Sequence, residues 1–213
     1  MKNIKAFIMV FALLAGFVTA DAQRNIAEAS IVYDITSDAF SGAASTTVYL
    51  KGNNSRTEMM SALGKETTIF NSKSDNAVIL KEFSGQKLMI TLTKENWKAK
   101  NSMYNNIKFE LTNDYKTIGA YNTRKAIAKM PNGKMFEVYY APDLIPANKE
   151  FDATFNNLPG LAIQYEIESG KMKFKYTLSK INFDAVQVSQ FDFPTAGYRV
   201  MSYEENQNLK KGN

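Results

Sequence analysis

Apolar and polar residues alternate along most of the chain, and this alternation predicts a protein built from short β-strands. In residues 30–36, for example, Ile31, Tyr33 and Ile35 fall on one face of an extended segment, as in a strand with one buried face. Clusters of Gly, Asn, Ser and Asp separate the runs, as expected for an antiparallel meander. Strands are also predicted at residues 46–51, 55–60, 67–71, 76–83, 87–92, 107–111, 123–130, 135–141, 161–169 and 171–178, with 186–193 as a further candidate.

Two turn sequences stand between predicted strands. In residues 131–134, Pro-Asn-Gly-Lys, the Asn-Gly pair favours a type I′ hairpin turn, in which both central residues have positive φ. In residues 158–161, Leu-Pro-Gly-Leu, Pro fixes φ and Gly permits a positive φ, which is the type II pattern. This second turn either sets the register of the following strand and buries Leu158 and Leu161 at the sheet edge, or forms the lip of a ligand mouth.

The polar segment 94–106 interrupts the strand pattern and is predicted to be a helix or a long loop. It carries the only tryptophan, Trp97, together with Met103 and Tyr104. These side chains are expected either to plug the concave face of a curved sheet as part of the core or to line a cavity for an acyl ligand. Near the end of the chain, residues 202–211 are predicted to be a short helix or a frayed tail.

Composition supports one sizeable β domain. Hydrophobic residues make up 45% of the 213 residues, which is enough for a core and argues against disorder. The 14 Phe and 11 Tyr residues suit pleated strands. We therefore predict a mainly β protein with minor α, in which a curved antiparallel sheet has its concave face plugged by helices or loops. Residues 23–213 are predicted to form this single domain.

The first 22 residues have the three-part pattern of a secretory signal peptide. Lys2 and Lys5 form a positive start, residues 6–20 are apolar, and Ala20 and Ala22 are small residues before the predicted cleavage point. The alternative is a membrane anchor, for which the apolar run is short. The mature protein is therefore expected to be periplasmic or extracellular, and not to span the membrane after cleavage.

The chain contains no His and no Cys. This excludes Ser-His-Asp triads, Cys-His dyads, His- or Cys-ligated zinc, Fe–S clusters and disulfides. Glu166 and Glu168 share one strand face, opposite Tyr165 and Ile167, which indicates solvated carboxylates rather than a catalytic pair. No catalytic residue, metal or cofactor is predicted, and the chain is expected not to be an enzyme.

Basic residues are in slight excess, with a formal net charge of +5. They are interspersed with acidic ones instead of forming a stripe, so nucleic-acid binding is not expected. The one ordered row is Lys171, Lys173 and Lys175 on a predicted strand. It is either a solvent-facing strand surface or a contact for anionic lipid head groups or an acidic partner.

Residues 157–162, Asn-Leu-Pro-Gly-Leu-Ala, resemble the signature of the GLPGLI family of secreted bacterial proteins. Residues 118–126 and 138–146 resemble that family's I-x-G-Y-x-x-x-K-A and W-Y-T-x-x-I-P stretches, and residues 194–198 its P-x-G-Y ending. Asn157 replaces the first Gly of the signature and Ala162 the final Ile, so the match is closer to a neighbouring uncharacterised family. The resemblance implies the half-barrel plan of the LolA, LolB and LppX superfamily, whose members bind lipids or acyl chains.

Two functions from different classes are consistent with this interpretation. In the first, a secreted or periplasmic half-barrel holds an apolar ligand such as a lipid or acyl chain, a ligand class that the resemblance supplies. In the second, the interior is filled and the protein is a cell-envelope module that docks a protein partner, for example by strand addition. The residues predicted to contact a ligand are Trp97, Met103, Tyr104, Leu158, Leu161 and Tyr176.

Overall fold

The structure is a computed structural model that describes residues 23–38, 42–194 and 196–211. The predicted signal peptide, residues 1–22, lies outside the described residues. The strands are β1 Arg24–Ile26, β2 Glu28–Ser37, β3 Ala44–Lys51, β4 Asn54–Ser61, β5 Gly64–Asn71, β6 Asn76–Phe83, β7 Gln86–Leu92, β8 Lys108–Ile118, β9 Tyr121–Lys129, β10 Met135–Ala141, β11 Leu144–Pro146, β12 Leu161–Ser169, β13 Met172–Asn182 and β14 Arg199–Ser202. The α-helices are α1 Lys94–Asn101 and α2 Tyr203–Lys211.

Twelve of these strands form one sheet in the order β14-β7-β6-β5-β4-β3-β2-β13-β12-β10-β9-β8. All neighbours are antiparallel except β14, which pairs parallel to β7. The remaining strands, β1 and β11, make a small parallel pair. The fold-class prediction is confirmed: the chain is mainly β with minor α, and its large curved antiparallel sheet is a half-barrel that stays open within the described residues.

Alternation along each strand gives the sheet two distinct faces. On the face that we call the cavity face, Ile31, Val48, Thr57, Thr68 and Ile79 lie opposite one another in successive strands β2 to β6. The apolar members of this row are buried, whereas both threonines are half-buried. The cavity face is therefore apolar at both ends of the row and more open in its middle.

A cover of two segments lies over the cavity face. The first is α1 with the 3-10 turn Ser102–Tyr104, and the second is the chain from residue 146 to residue 160. The β1–β11 pair leads into the second segment. Ile26 and Leu144 anchor this pair, because both are buried in the main core cluster. Of the two alternatives predicted for residues 94–106, helix and long loop, the structure has the helix. Thr93 caps its start by accepting a hydrogen bond of 3.2 Å from the Asn96 amide.

The candidate strand at residues 186–193 is not a strand. Its residues form a 3-10 turn, Val188–Phe191, that crosses the face opposite the cavity. Because no described strand pairs with it, its backbone bonds within the turn and to side chains of the sheet. The Val186 amide donates to Glu28 at 2.6 Å, and Arg56 donates to the Gln190 carbonyl at 2.9 Å.

Two local expectations are also wrong. Five residues, 130–134, connect β9 and β10; Gly133 has φ 84° while Asn132 has no positive φ, so the turn is not type I′. Hydrogen bonds from Met130 N to Lys134 O (2.9 Å) and from Gly133 N to Met130 O (3.0 Å) close it. In the predicted strand 171–178, alternation with the lysine row predicts that Met172 points inward like Tyr176; it is instead 43% exposed, because it is the first residue of β13 at the hairpin tip.

The C-terminal segment is a helix, α2, as one of the two alternatives predicted. Tyr203 packs against the buried cluster of Phe70, Ile90 and Met201, which holds the start of the helix to the sheet. Among the described residues, no helix is both long enough and apolar enough to cross a membrane.

Candidate ligand cavity

A cavity of about 340 Å³ lies between the cavity face and the cover. The half-buried threonines of the sheet form its floor, and the cover residues form its roof. Its lining includes Tyr33, Thr46, Val48, Thr57, Met59, Thr68, Trp97, Tyr104, Pro146, Phe151, Asp152, Phe155, Leu158, Leu161, Tyr165, Ile167 and Tyr176. The interior of this half-barrel is therefore not completely filled by its own side chains.

Stacked aromatic rings form one wall of the cavity. Tyr165 and Tyr176 are neighbours on β12 and β13, with ring centroids 4.8 Å apart and nearly parallel planes. Phe155 of the cover meets Tyr165 edge-on at 4.6 Å, and Tyr33 meets it at 6.1 Å. Such contacts hold the rings in fixed orientations. The wall is thus a rigid, flat surface suited to an apolar group.

The hydroxyl groups of this wall stay protonated. Tyr33 donates a buried hydrogen bond of 2.8 Å to the Ala162 carbonyl. Burial, together with the negative charge of Asp152, raises the pKa of Tyr33 and of Tyr165 well above the ordinary tyrosine value. The wall therefore offers neutral hydroxyls at any physiological pH.

Polar side chains also line the cavity. Asp152 accepts a hydrogen bond of 2.9 Å from the Thr154 amide, so it caps the turn that follows. Burial raises the pKa of Asp152. Hydrogen bonds from Thr154 and the nearby positive charge of Lys100 offset part of this increase. Lys100 and Lys149 also line the cavity, as does Glu66, which forms an ion pair of 2.8 Å with Lys81. The lining thus contains charged groups of both signs.

The Leu-Pro-Gly-Leu turn packs its glycine against the neighbouring strand. Gly160 is buried and has no positive φ, so the expected type II reason for a glycine is wrong. A Cβ there would overlap the Ala141 carbonyl oxygen and approach Tyr140 Cδ2 to 2.9 Å. The glycine is therefore required by a close approach between the cover and β10.

The two leucines of this turn anchor the cover to two different core clusters. Leu158 is 1% exposed among Ala126, Val138 and Ala162, and Leu161 is 2% exposed in the main cluster around β2. Both also line the cavity. The two interpretations of the turn therefore describe one arrangement, in which buried leucines form part of the cavity wall.

Trp97 attaches α1 to the sheet. Its ring stacks on Phe70 of β5 with centroids 4.3 Å apart and planes 17° from parallel. The Trp97 carbonyl accepts a hydrogen bond of 3.0 Å from the buried Asn101 side chain, which closes the last turn of the helix. This one aromatic contact thus holds the first segment of the cover in place.

Replacing Trp97 by alanine is expected to loosen α1. The substitution removes the half-buried indole ring and its stacking contact with Phe70. We expect the free energy of unfolding to fall by about 2 kcal/mol. This corresponds to a decrease in Tm of roughly 4–8 °C, measured by thermal circular dichroism. Tyr115→Ala, which removes a ring that is 68% exposed, is the control and should change Tm little. Equal effects of both substitutions would contradict this role for Trp97.

Asp152→Asn should make the protein more stable at pH 7. The folded-state pKa is raised, so folding is favoured at low pH and loses this contribution as the pH rises through that pKa. The amide keeps an oxygen that can accept the Thr154 hydrogen bond without carrying the buried charge. Thermal unfolding should show a gain in Tm at pH 7 that shrinks toward pH 4. The exposed Asp192→Asn serves as the control, and a pH-independent gain would argue against this explanation.

The structure brings five of the six predicted ligand-contact residues to this cavity. Trp97, Tyr104, Leu158, Leu161 and Tyr176 all line it, although their role in binding stays a prediction. Met103 instead lines a second cleft, where it is 53% exposed.

Sequence reasoning missed the threonine floor of the cavity and the polar residue Asp152 in its lining. Thr46, Thr57 and Thr68 lie on the cavity face, and the alternation with Val48 on β3 was a signal that could have placed the first of them there. Asp152 lies in an irregular segment, where no periodic pattern indicates the direction of a side chain.

No catalytic constellation is evident in the part of the chain that the structure describes. Glu166 and Glu168 are exposed, and Lys173 approaches them at 3.8 and 3.7 Å, as the prediction of solvated carboxylates requires. The same residues contain no group of three or more acidic side chains arranged to hold a metal ion.

Comparison with known proteins finds similar folds. No protein-family model matches the chain, and no curated protein matches it. An uncharacterized conserved protein from Thermus thermophilus superposes with a TM-score of 0.52 at 9% identity, over 83% of this chain and 91% of that one. PNGF-II in its P21 crystal form gives 0.50 at 14% identity, over 85% of this chain and 33% of PNGF-II. MucB gives 0.43 at 9% identity, over 83% and 60% of the two chains, an overlap too loose to bear on function.

These likenesses concern the fold alone, because every identity is low. The chain spans about a third of the length of PNGF-II. The half-barrel plan that the sequence resemblance implies is present, while membership of the GLPGLI family and of the LolA-like superfamily stays a prediction. The chain has the fold of a curved, open antiparallel half-barrel with a covered, partly empty interior.

Proposed function

We propose that this protein is a non-enzymatic binding protein that holds one single-chain lipid or acyl chain in the covered cavity. The observation that carries the proposal is the space of about 340 Å³ between sheet and cover. A packed interior would leave almost no such space. For this reason we prefer ligand binding to the alternative of an interaction module with a filled core.

The size of the cavity limits the ligand. Binding sites for small molecules span roughly 300–1,000 Å³, and this one lies near the lower limit. One acyl chain suits such a volume better than the two chains of a membrane phospholipid. The tyrosine wall would lie along the chain.

The polar side chains of the lining supply contacts for a head group. Lys100 and Lys149 would attract a carboxylate, and the Asp152 carboxyl would accept a hydrogen bond from a hydroxyl. A fatty acid or a monoacylglycerol carries such a group at one end only. An amphiphile would therefore bind with its head group at these side chains and its chain in the apolar remainder of the cavity.

Binding of a fluorescent fatty acid tests the proposal. Residues 23–213 would be titrated into dansyl-labelled undecanoic acid, and we expect a saturable, blue-shifted fluorescence increase at one probe per protein. Monopalmitoylglycerol should displace the probe, whereas a diacyl phosphatidylcholine should not. Absence of saturable binding, together with a bare polypeptide mass in native mass spectrometry after mild purification from the native host, would overturn the proposal.

The proposed location is the periplasm or the extracellular space. It is supported by the signal-peptide pattern of residues 1–22. In such a compartment a free lipid or fatty acid needs a protein to keep it in solution. Cell fractionation of the native host would test the location.

A further inference from the structure

The large sheet divides between β10 and β12. Their antiparallel ladder runs from Ala141↔Leu161 to Val138↔Tyr165 and stops there. Beyond that point residues 135–137 pair only with β9, and residues 166–169 pair only with β13. Two strand ends thus face each other without pairing in the middle of a twelve-stranded sheet.

A second cleft, with a volume of about 570 Å³, occupies this division. Its lining includes both strand ends, the turn between β9 and β10, and the end of the cover: Met103, Tyr104, Met130, Asn132, Lys134, Met135, Phe136, Glu137, Thr154, Glu166, Ile167, Glu168 and Lys173. The strand ends are therefore separated by real space and are not merely out of register.

The backbone of these strand ends can bind an extended segment. Each strand end offers amide and carbonyl groups on the side that faces the cleft, and such groups require partners. A segment of three or four residues in extended form is about 10–13 Å long, which matches the length of strand left unpaired on each side. An inserted strand would continue the sheet from β10 to β12.

The side chains around the cleft define what such a strand would carry. On the cavity face Phe136 and Ile167 flank the opening, with Met103 beneath it, so apolar residues suit that side. On the other face the neighbouring positions are Glu137 on one lip and Glu166 and Glu168 on the other. Three carboxylates line the cleft against two ammonium groups, those of Lys134 and Lys173.

The existing ion pairs leave part of this negative charge available. Glu137 is held by Lys125 at 2.6 Å. Glu166 and Glu168 share Lys173 at 3.8 and 3.7 Å, which is longer than a hydrogen bond. The β12 lip can therefore take an additional cation.

We propose that this cleft binds an extended segment of a partner protein by strand addition, and that the segment alternates apolar and basic residues. The inserted backbone pairs with residues 135–137 and 166–168, its apolar side chains meet Phe136 and Ile167, and its basic side chains meet the carboxylates of the opposite face. The exposed methionines of the cleft adapt to different apolar side chains.

The two outer edges of the sheet are poorer sites for the same kind of partner. The edge strand β8 has an irregularity between Leu111 and Tyr115, which interrupts its hydrogen-bonding row. At the other edge β14 has only four residues. The cleft is the place where two unpaired strand ends meet on the described part of the sheet.

The test uses a fluorescein-labelled peptide, Lys-Val-Lys-Ile-Lys-Val-Lys, and fluorescence anisotropy with residues 23–213. We expect saturable binding, at least tenfold weaker for a peptide N-methylated at every second residue, which lacks the donors of one edge and can pair with only one of the two strand ends. A peptide of the same composition with its apolar residues in one block should also bind about tenfold more weakly.

Charge reversal on one lip gives a matched set of variants. Glu166→Lys with Glu168→Lys should weaken binding of the basic peptide about tenfold and lower Tm by only a few degrees, since both side chains are exposed and the new lysines face Lys175 and Lys173 across the strand pair. Glu95→Lys on the exposed face of α1 is the control and should bind the peptide normally.

Hydrogen exchange identifies the site independently of the variants. The amides of residues 135–137 and 166–168 should exchange more slowly when the peptide is bound. Equal binding of the N-methylated peptide, or unchanged exchange at these amides, would overturn the proposal. Protection by dansyl-undecanoic acid, or protection in a dimer without peptide, would assign the cleft to a lipid or to a second copy and overturn it equally.

Discussion

Replacing Gly160 by alanine is expected to lower the free energy of unfolding by about 3 kcal/mol, because the new methyl group would overlap backbone atoms. The added Cβ would collide with the Ala141 carbonyl oxygen, which cannot rotate away as a flexible side chain could. Relief requires the cover to move from β10, which also separates Leu158 from its buried neighbours. Thermal unfolding should show a Tm lower by roughly 6–12 °C.

Gly119→Ala separates this steric effect from loss of backbone freedom. Gly119 has φ 58° and open space around its Cα, so alanine there meets no atom and bears only the left-handed strain of about 1 kcal/mol. A smaller loss for Gly160→Ala than for Gly119→Ala would show that the close approach to β10 is not what requires the glycine.

Thr46→Trp is expected to weaken binding of dansyl-undecanoic acid at least 100-fold. Thr46 is half-buried, lies opposite Tyr33, and lines the cavity floor. An indole at this position occupies space that the acyl chain requires, in a cavity near the lower size limit for a ligand. The substitution fills a void without cutting into a packed core, so Tm should change by only a few degrees. Fluorescence titration and thermal unfolding of the same preparation give both values.

Thr47→Trp is the matched control, one residue along the same strand. Thr47 is also half-buried but points to the opposite face of the sheet. It should bind the probe as the unchanged protein does. If both variants bind equally well, the acyl chain does not occupy this cavity. If both fail to bind and to fold, strand β3 tolerates no tryptophan. In that case Thr57→Phe, in the same cavity, is the variant that tests whether the acyl chain binds there.

Most strands could be predicted from the sequence because alternation is a local property. The runs around Tyr33 and Ile90 became β2 and β7 with the expected residues buried. Residues 186–193 have similar apolar content but no described strand to pair with, so they became a 3-10 turn against the sheet. A strand needs a neighbour, and the sequence pattern does not say where one is.

The candidate site divides in the same way. Trp97 and Tyr104 stood out as apolar residues in a polar segment, and both face the cavity. Asp152 gave no such signal, since its position under the cover depends on how residues 146–160 fold back over the sheet. Met103 was grouped with Tyr104 by its nearness in the chain, yet it faces the second cleft only.

By itself, the sequence determined the β class, the positions of most strands along the chain, the exclusion of His- and Cys-dependent chemistry and the polar segment that became α1. The tertiary structure alone decided the space under the cover, the close approach of Gly160 to Ala141 and the division between β10 and β12. The physical reason is distance along the chain. Side-chain direction in a strand follows from neighbouring residues, whereas a cavity, a backbone contact or an unpaired strand end depends on segments that meet only when the sheet closes around its core.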